Sequence, residues 1–196
     1  MREQQSKRIV LICGHPDSDS FSGFLLTEYQ EAAEAAGHEV VRFNLGEMDF
    51  DPILHKGYKE IQPLEEDLIT LQTAISECDH LVIAYPNWWC SLPALLKGMF
   101  DRIWLPGFAF DFDNNSNKVI KYLVGKTARI YSLSGSNTPL QTWWKYGDYT
   151  NEIQYAILEF AGIKTKVSAY GPCSKVSDKT REKWLNEVKK HGQKGV

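Results

Sequence analysis

Three short stretches of this sequence carry residue types that could do chemistry. In the first, AYPNWWCSLPALLKGMFDR (Ala84–Arg102), an apolar strand runs into Tyr85, Pro86 and Asn87, then Trp88, Trp89 and Cys90, and Pro93 restarts a helix. An indole carries a large apolar face, so two adjacent tryptophans on a loop either enter a core or wall a site for something flat. Loop neighbours rarely point the same way. One of the pair is therefore expected to be the wall and the other core, and the sequence does not say which. The second stretch, GHPDSDSFSGFLL, places His15, Ser18, Ser20, Phe21 and Ser22 just before a helix. Unpaired N–H groups and partial positive charge at a helix start suit a phosphate. The same serines would also serve as ordinary caps, and a lone histidine is most often structural. The pattern is neither G-x-G-x-x-G nor a Walker loop, which disfavours a Rossmann dinucleotide site and a P-loop. In the third stretch, SLSGSNTP, the small residues Ser134, Gly135 and Ser136 after Leu133 let backbone N–H groups approach a ligand closely; a plain turn would look the same. Hydroxyl donors, an aromatic platform and an amide-lined rim together suit a mononucleotide with a flat conjugated head, as FMN is.

These stretches need elements that bring them together. Five β-rich apolar runs recur: Arg8–Cys13, His38–Leu45, His80–Tyr85, Ala128–Ser134 and Lys164–Gly171. The first, third and fourth are almost continuously apolar, as parallel strands covered on both faces are. Amphipathic helical patterns fall at 22–37, 63–79, 93–104, 150–162 and 177–192, the first closed by Gly37. Strand–helix alternation predicts a doubly wound α/β protein with three layers, α/β/α. Five strands favour the flavodoxin-like parallel order 2-1-3-4-5, whose ligands sit beyond the carboxyl ends of the strands. All three stretches follow such ends. Two long connections, 46–63 and 105–126, are expected to be functional loops. The whole chain, 1–196, is expected to be one flavin-binding domain, with a polar leader at 1–7 and a frayed tail at 192–196.

The chain has 196 residues and a net charge of −3, with acidic and basic residues interspersed, so no electrostatic footprint for nucleic acid is present. Four scattered cysteines form no C-x-x-C pair and have no histidines at metal spacing. Neither a metal site nor a structural disulfide is expected, and reduced thiols point to a cytoplasmic protein. No apolar run reaches membrane-spanning length, and the N-terminus lacks the apolar core of a signal peptide.

The segment AYPNWWCSLPALLKGMFDRIWLPGFAF resembles the signature of the flavodoxin-like NAD(P)H:quinone oxidoreductases, the DT-diaphorase type and its smaller bacterial relatives. GHPDSDSFSGFLL and ARIYSLSGSNTP are similar to that family's first and third loops. The resemblance implies a homodimer with one flavin per subunit at the interface. It also implies ping-pong two-electron chemistry from NADPH or NADH to a quinone-like acceptor. Carried over residue by residue, it gives His15, Ser20, Phe21 and Ser22 to the phosphate end. Pro86, Asn87, Trp88, Trp89 and Cys90 would line the ring system, and Leu133, Ser134, Gly135 and Ser136 its polar edge. Phe110 and Phe112 would close the substrate pocket of the neighbouring subunit. Two departures stand out. Where the family has a histidine and a tyrosine near the flavin's pyrimidine edge, this chain has Tyr146 and Leu140, with Tyr149 as the fallback. A phenol can donate a hydrogen bond to developing charge there, but with an ordinary pKa of about 10 it cannot supply a cation. The chain also lacks the long C-terminal extension of the larger, FAD-dependent members, which favours FMN with FAD as the alternative. A flavodoxin-type electron carrier and a flavin-binding regulatory subunit of a transporter are the competing expectations. Nothing in the sequence identifies a transporter partner.

Overall fold

The computed structural model describes residues 5–196 apart from Asn115, Asn117 and Asn137. The first four residues of the polar leader and the side chain of Leu140 lie outside the described residues. Strands β1 (Arg8–Cys13), β2 (Glu39–Asn44), β3 (His80–Asn87), β6 (Thr127–Ser134) and β7 (Lys164–Tyr170) form one sheet in the order β2-β1-β3-β6-β7. Every pairing in it is parallel. This is the expected 2-1-3-4-5 arrangement of a flavodoxin-like fold.

The period-two alternation of the strands divides the core between two faces. Val10, Ile12, Leu81, Ile83, Tyr85 and Ile130 pack with Leu68, Leu71 and Ile75 of α2 (Glu66–Glu77) and with Leu96, Met99 and Phe100 of α3 (Ala94–Ile103). Ile9, Leu11, Val82, Ala84, Tyr131 and Leu133 pack on the other side against Leu25, Leu26 and Tyr29 of α1 (Phe21–Ala35) and Val188 of α5 (Asp178–Lys194). Both faces are covered, which is why these strands read as unbroken apolar runs. Among the described residues, no helix is long and apolar enough to cross a membrane.

The secondary structure differs from the sequence expectation in four places. The long 105–126 connection contains a hairpin, β4 (Phe110–Phe112) paired antiparallel with β5 (Val119–Lys121). A helix α4 (Pro139–Tyr146) follows β6, started by a capping box between Thr138 and Gln141 with Pro139 in its first turn. The helix expected at 150–162 has π-helical geometry over Glu152–Glu159. Finally, helical structure extends into the expected tail at 192–196. The α5 helix runs to Lys194, Gly195 takes the left-handed conformation that ends it, and Lys7 Nζ donates to the Gly195 carbonyl at 2.7 Å.

The other long connection, 46–63, is held by a buried cation. Arg102, fully buried in the last turn of α3, donates to both carboxylate oxygens of Glu65, at 3.1 and 2.9 Å. It also donates to the carbonyls of Pro63, at 2.7 Å, and Asp51. Burial raises the Glu65 pKa, but the Arg102 hydrogen bond, the backbone N–H groups of Glu65 and Asp51 and the Arg102 charge together outweigh it and leave the carboxyl below its usual range.

Candidate functional site

The loops after β1, β3 and β6 converge at the carboxyl edge of the sheet around a cavity of about 1120 Å³. That is at or above the top of the ~300–1,000 Å³ range of ordinary small-molecule sites. His15, Ser20, Phe21, Ser22, Pro86, Asn87, Trp88, Trp89, Cys90, Leu133, Ser134, Gly135 and Ser136 all line it, and so does Tyr146.

On one side, Ser20 caps α1 by accepting from the Gly23 N–H at 3.4 Å. A helix start leaves its first N–H groups, here at Phe21 and Ser22, without intrahelical partners. The preceding turn is braced by His15, whose Nδ1 accepts from the Asp17 N–H at 2.9 Å. The turn is also pinned from outside by two glycines that have no room for a side chain. A Cβ on Gly23 would lie 1.8 Å from the Ser18 carbonyl oxygen, and one on Gly46 would lie 1.7 Å from that of Pro16.

Trp88 and Ser91 exchange backbone hydrogen bonds at 3.2 and 3.1 Å around a two-residue turn. Its central residues, Trp89 and Cys90, have φ of 56° and 60°. Such a turn normally takes Asn-Gly, and left-handed backbone costs an ordinary residue about 1–2 kcal/mol. Strain of this kind accumulates at functional sites. Here it throws two side chains out of the strand into the cavity. The expectation that one tryptophan is core is wrong. Trp88 is 45 % exposed, its ring edge-on to His15 with centroids 5.4 Å apart, and Trp89 is 99 % exposed. Asn87 beside them has a buried Nδ2 with no hydrogen-bond partner among the described residues. An orphaned amide donor facing a cavity fits a ligand that carries an acceptor.

At the opposite rim, the Ser134 and Ser136 hydroxyls lie 3.1 Å apart, and the Ser136 N–H donates to Ser134 Oγ. Tyr149 is buried and its side chain bonds to Ser134; desolvation raises its pKa above the ordinary phenol value despite that bond. It therefore stays a neutral donor. Tyr146 stands on α4 at the rim, half exposed.

Four lining residues escaped the sequence reading: Thr142, Pro172, Cys173 and Lys175. Thr142 lies on α4, while the other three follow β7. The end of the fifth strand was a findable signal, since in this topology its loop also opens at the carboxyl edge. Phe110 and Phe112 do not line the cavity of their own chain. Phe110 packs edge-on against Phe160 at 5.0 Å, and Phe112 is half exposed on the hairpin.

A family model described as flavodoxin-like fold matches residues 7–191. NAD(P)H dehydrogenase [quinone] 1 of Cavia porcellus is 28 % identical over 66 % of this chain, an alignment that spans 57 % of that protein. Ribosyldihydronicotinamide dehydrogenase [quinone] of Rattus norvegicus is 26 % identical over 93 % of this chain and 91 % of its own length. Among solved structures, the NAD(P)H:quinone oxidoreductase from Methanothermobacter marburgensis superposes with a TM-score of 0.80 at 25 % identity, covering 98 % of this chain and 100 % of the other. Fold, family match and relatives agree, and the chain belongs to the Flavodoxin_2 family of flavodoxin-like fold, with NAD(P)H:quinone oxidoreductases as its relatives.

Proposed function

We propose that this chain is an FMN-dependent NAD(P)H:quinone oxidoreductase. The observation that carries the reading is the convergence of three strand-end loops, each with a different chemistry, on one large cavity. When bound, the flavin would supply the two-electron chemistry, with NAD(P)H and quinone visiting the site in turn.

The residues have separable tasks. The N–H groups opening α1, with Ser20 and Ser22, hold the phosphate. Trp88 and Trp89 present indole faces to the ring system, and the orphaned Asn87 amide supplies a donor to it. Ser134, Gly135 and Ser136 face its polar edge, with Tyr149 fixing the Ser134 hydroxyl. Tyr146 is the candidate catalytic donor at the rim. Cations at the phosphate end favour a terminal phosphate and hence FMN over FAD: Lys175 lines the cavity, and the Arg181 guanidinium sits 5.7 Å from the Phe21 ring. A homodimer would bring Phe110 and Phe112 to the other subunit's cavity. Exposed Ile53, Tyr58 and Ile61 on the 46–63 loop offer apolar surface for that contact. The four cysteines are free, consistent with a reducing cytoplasm.

Equilibrium titration of the chain with FMN, FAD and riboflavin, followed by quenching of flavin fluorescence, tests the cofactor assignment. Charge-assisted hydrogen bonds contribute about 1.5–3 kcal/mol each, so FMN is expected to bind about a hundredfold more tightly than riboflavin. Raised salt should weaken FMN and leave riboflavin unchanged. Equal affinity for FMN and riboflavin would remove the phosphate site from the account.

A further inference from the structure

Behind the cavity wall, on the sheet face covered by α1 and α5, oxidisable aromatic side chains stand in line. Trp184 of α5 stacks on Tyr170 with ring centroids 4.9 Å apart and an 18° interplanar angle. Tyr170 stacks on Tyr131 at 6.1 Å and 21°, and Tyr29 meets Tyr131 edge-on at 6.5 Å. The line reaches the cavity. Cys173, a lining residue, donates its thiol to the Tyr170 carbonyl at 3.5 Å, and Tyr170 is the register partner of Leu133, another lining residue. Arg181, one turn before Trp184, donates to the Cys173 carbonyl at 3.4 Å.

Packing alone does not call for phenols here. Phenylalanine would fill nearly the same volume, and the buried Tyr29 hydroxyl has no partner among the described residues, a cost of about 1–3 kcal/mol. Tyr131 is different. Its fully buried hydroxyl lies 2.9 Å from His191 Nδ1, and His191 Nε2 lies 4.0 Å from the Glu187 carboxylate. Burial, followed by the cations Arg129, Lys194 and Lys166, lowers the His191 pKa to about 4. The imidazole is therefore neutral at neutral pH. With its proton on Nε2 toward Glu187, Nδ1 accepts from the phenol.

We propose that Trp184, Tyr170 and Tyr131 form a path that carries oxidising equivalents from Trp184 into the core behind the cavity wall, with the Tyr131–His191 pair as their resting place. The oxidant is a one-electron oxidant of the oxygen-radical class, which reduced cofactors generate on meeting dioxygen. It takes one electron from the Trp184 indole and is itself reduced. An electron from Tyr131 crosses the Tyr170 stack to refill Trp184, and the Tyr131 phenolic proton moves to His191 Nδ1. What remains is a neutral phenoxyl radical and an imidazolium facing Glu187. One electron from a thiolate in solution, which leaves as a thiyl radical, together with the proton returned from His191, restores the phenol. The path would spare the cavity thiols Cys90 and Cys173. It rests on the proposed reading that the cavity holds a redox cofactor, but not on which one.

Pulse radiolysis of the full-length chain without added flavin, using azidyl radical as the one-electron oxidant, tests the path directly. The wild type is expected to show indolyl absorption decaying into phenoxyl absorption by a first-order process independent of protein concentration. Tyr131→Phe should lose most of that first-order phenoxyl rise, as should Trp184→Phe. His191→Phe keeps Tyr131 but should slow the rise, because the proton has no acceptor. An unchanged phenoxyl yield and rate in Tyr131→Phe, or a rise that scales with protein concentration, would overturn the proposal.

Discussion

Replacing Arg102 with methionine is expected to destabilise the protein by about 3–5 kcal/mol, the range for breaking a buried ion pair from one side. Methionine fills much of the same space, so the loss comes from the partners left behind. The Pro63 and Asp51 carbonyls lose their donor, and Glu65 loses its only salt-bridge partner among the described residues. The side-chain exposure of Glu65, 34 % against 0 % for Arg102, lets water reach the orphaned carboxylate. Glu65→Gln should therefore cost less than the arginine substitution, because an amide can still accept from the guanidinium. Urea unfolding would show the difference as a lower midpoint at unchanged slope. A midpoint for Arg102→Met within experimental error of the wild type would mean that this clasp contributes nothing.

The second large effect concerns the turn ahead of α1. Gly46→Ala is expected to weaken flavin binding at least about tenfold while the chain remains folded. The new methyl group would meet the Pro16 carbonyl oxygen at 1.7 Å and its carbon at 2.5 Å. Backbone atoms cannot step aside as a flexible side chain can, so the whole turn from His15 to Ser20 must move. Overpacking of this kind costs about 1–3 kcal/mol, which a folded domain tolerates. The functional cost is separate, because the displaced turn orients the first N–H groups of α1. Circular dichroism should stay native-like while the flavin dissociation constant rises by at least about tenfold, equivalent to roughly 1.4 kcal/mol. Flavin affinity equal to that of the wild type would show that this turn does not set the site.

The two substitutions bear on what could be read in the sequence. The strands were legible because a parallel sheet with both faces covered leaves an unbroken apolar run, and Arg8–Cys13 matches its strand residue for residue. The cavity was legible because the topology sends the loops after β1, β3 and β6 to one edge, so GHPDSDSFSG, YPNWWC and SLSGS had to meet. The long-range clasps were not. Arg102 reads locally as an ordinary cation in the last turn of a helix, and nothing in its neighbours announces Glu65 and Pro63 as partners. Gly46 reads as a loop glycine; its packing against Pro16 is tertiary. The two tryptophans were misjudged for a similar reason. Composition favours burying an indole, but a turn with positive φ at Trp89 and Cys90 overrides it, and only the backbone reveals that turn. The hairpin β4–β5 and helix α4 are short elements without a strong periodic signal. The capping box Thr138-x-x-Gln141 was a signal available for the second of them.

The central claim is that the cavity holds a flavin that NAD(P)H reduces directly. Anaerobic titration of the FMN-loaded chain with NADPH, repeated with NADH and followed through the flavin's visible absorption, tests it most directly. Full bleaching by one equivalent of at least one of the two nucleotides is expected, without the long-wavelength absorption of a one-electron-reduced flavin, followed by recovery of the oxidised spectrum on adding a quinone. Bound flavin that neither nucleotide bleaches would contradict the claim and leave the cavity as the site of an electron carrier or a regulatory subunit.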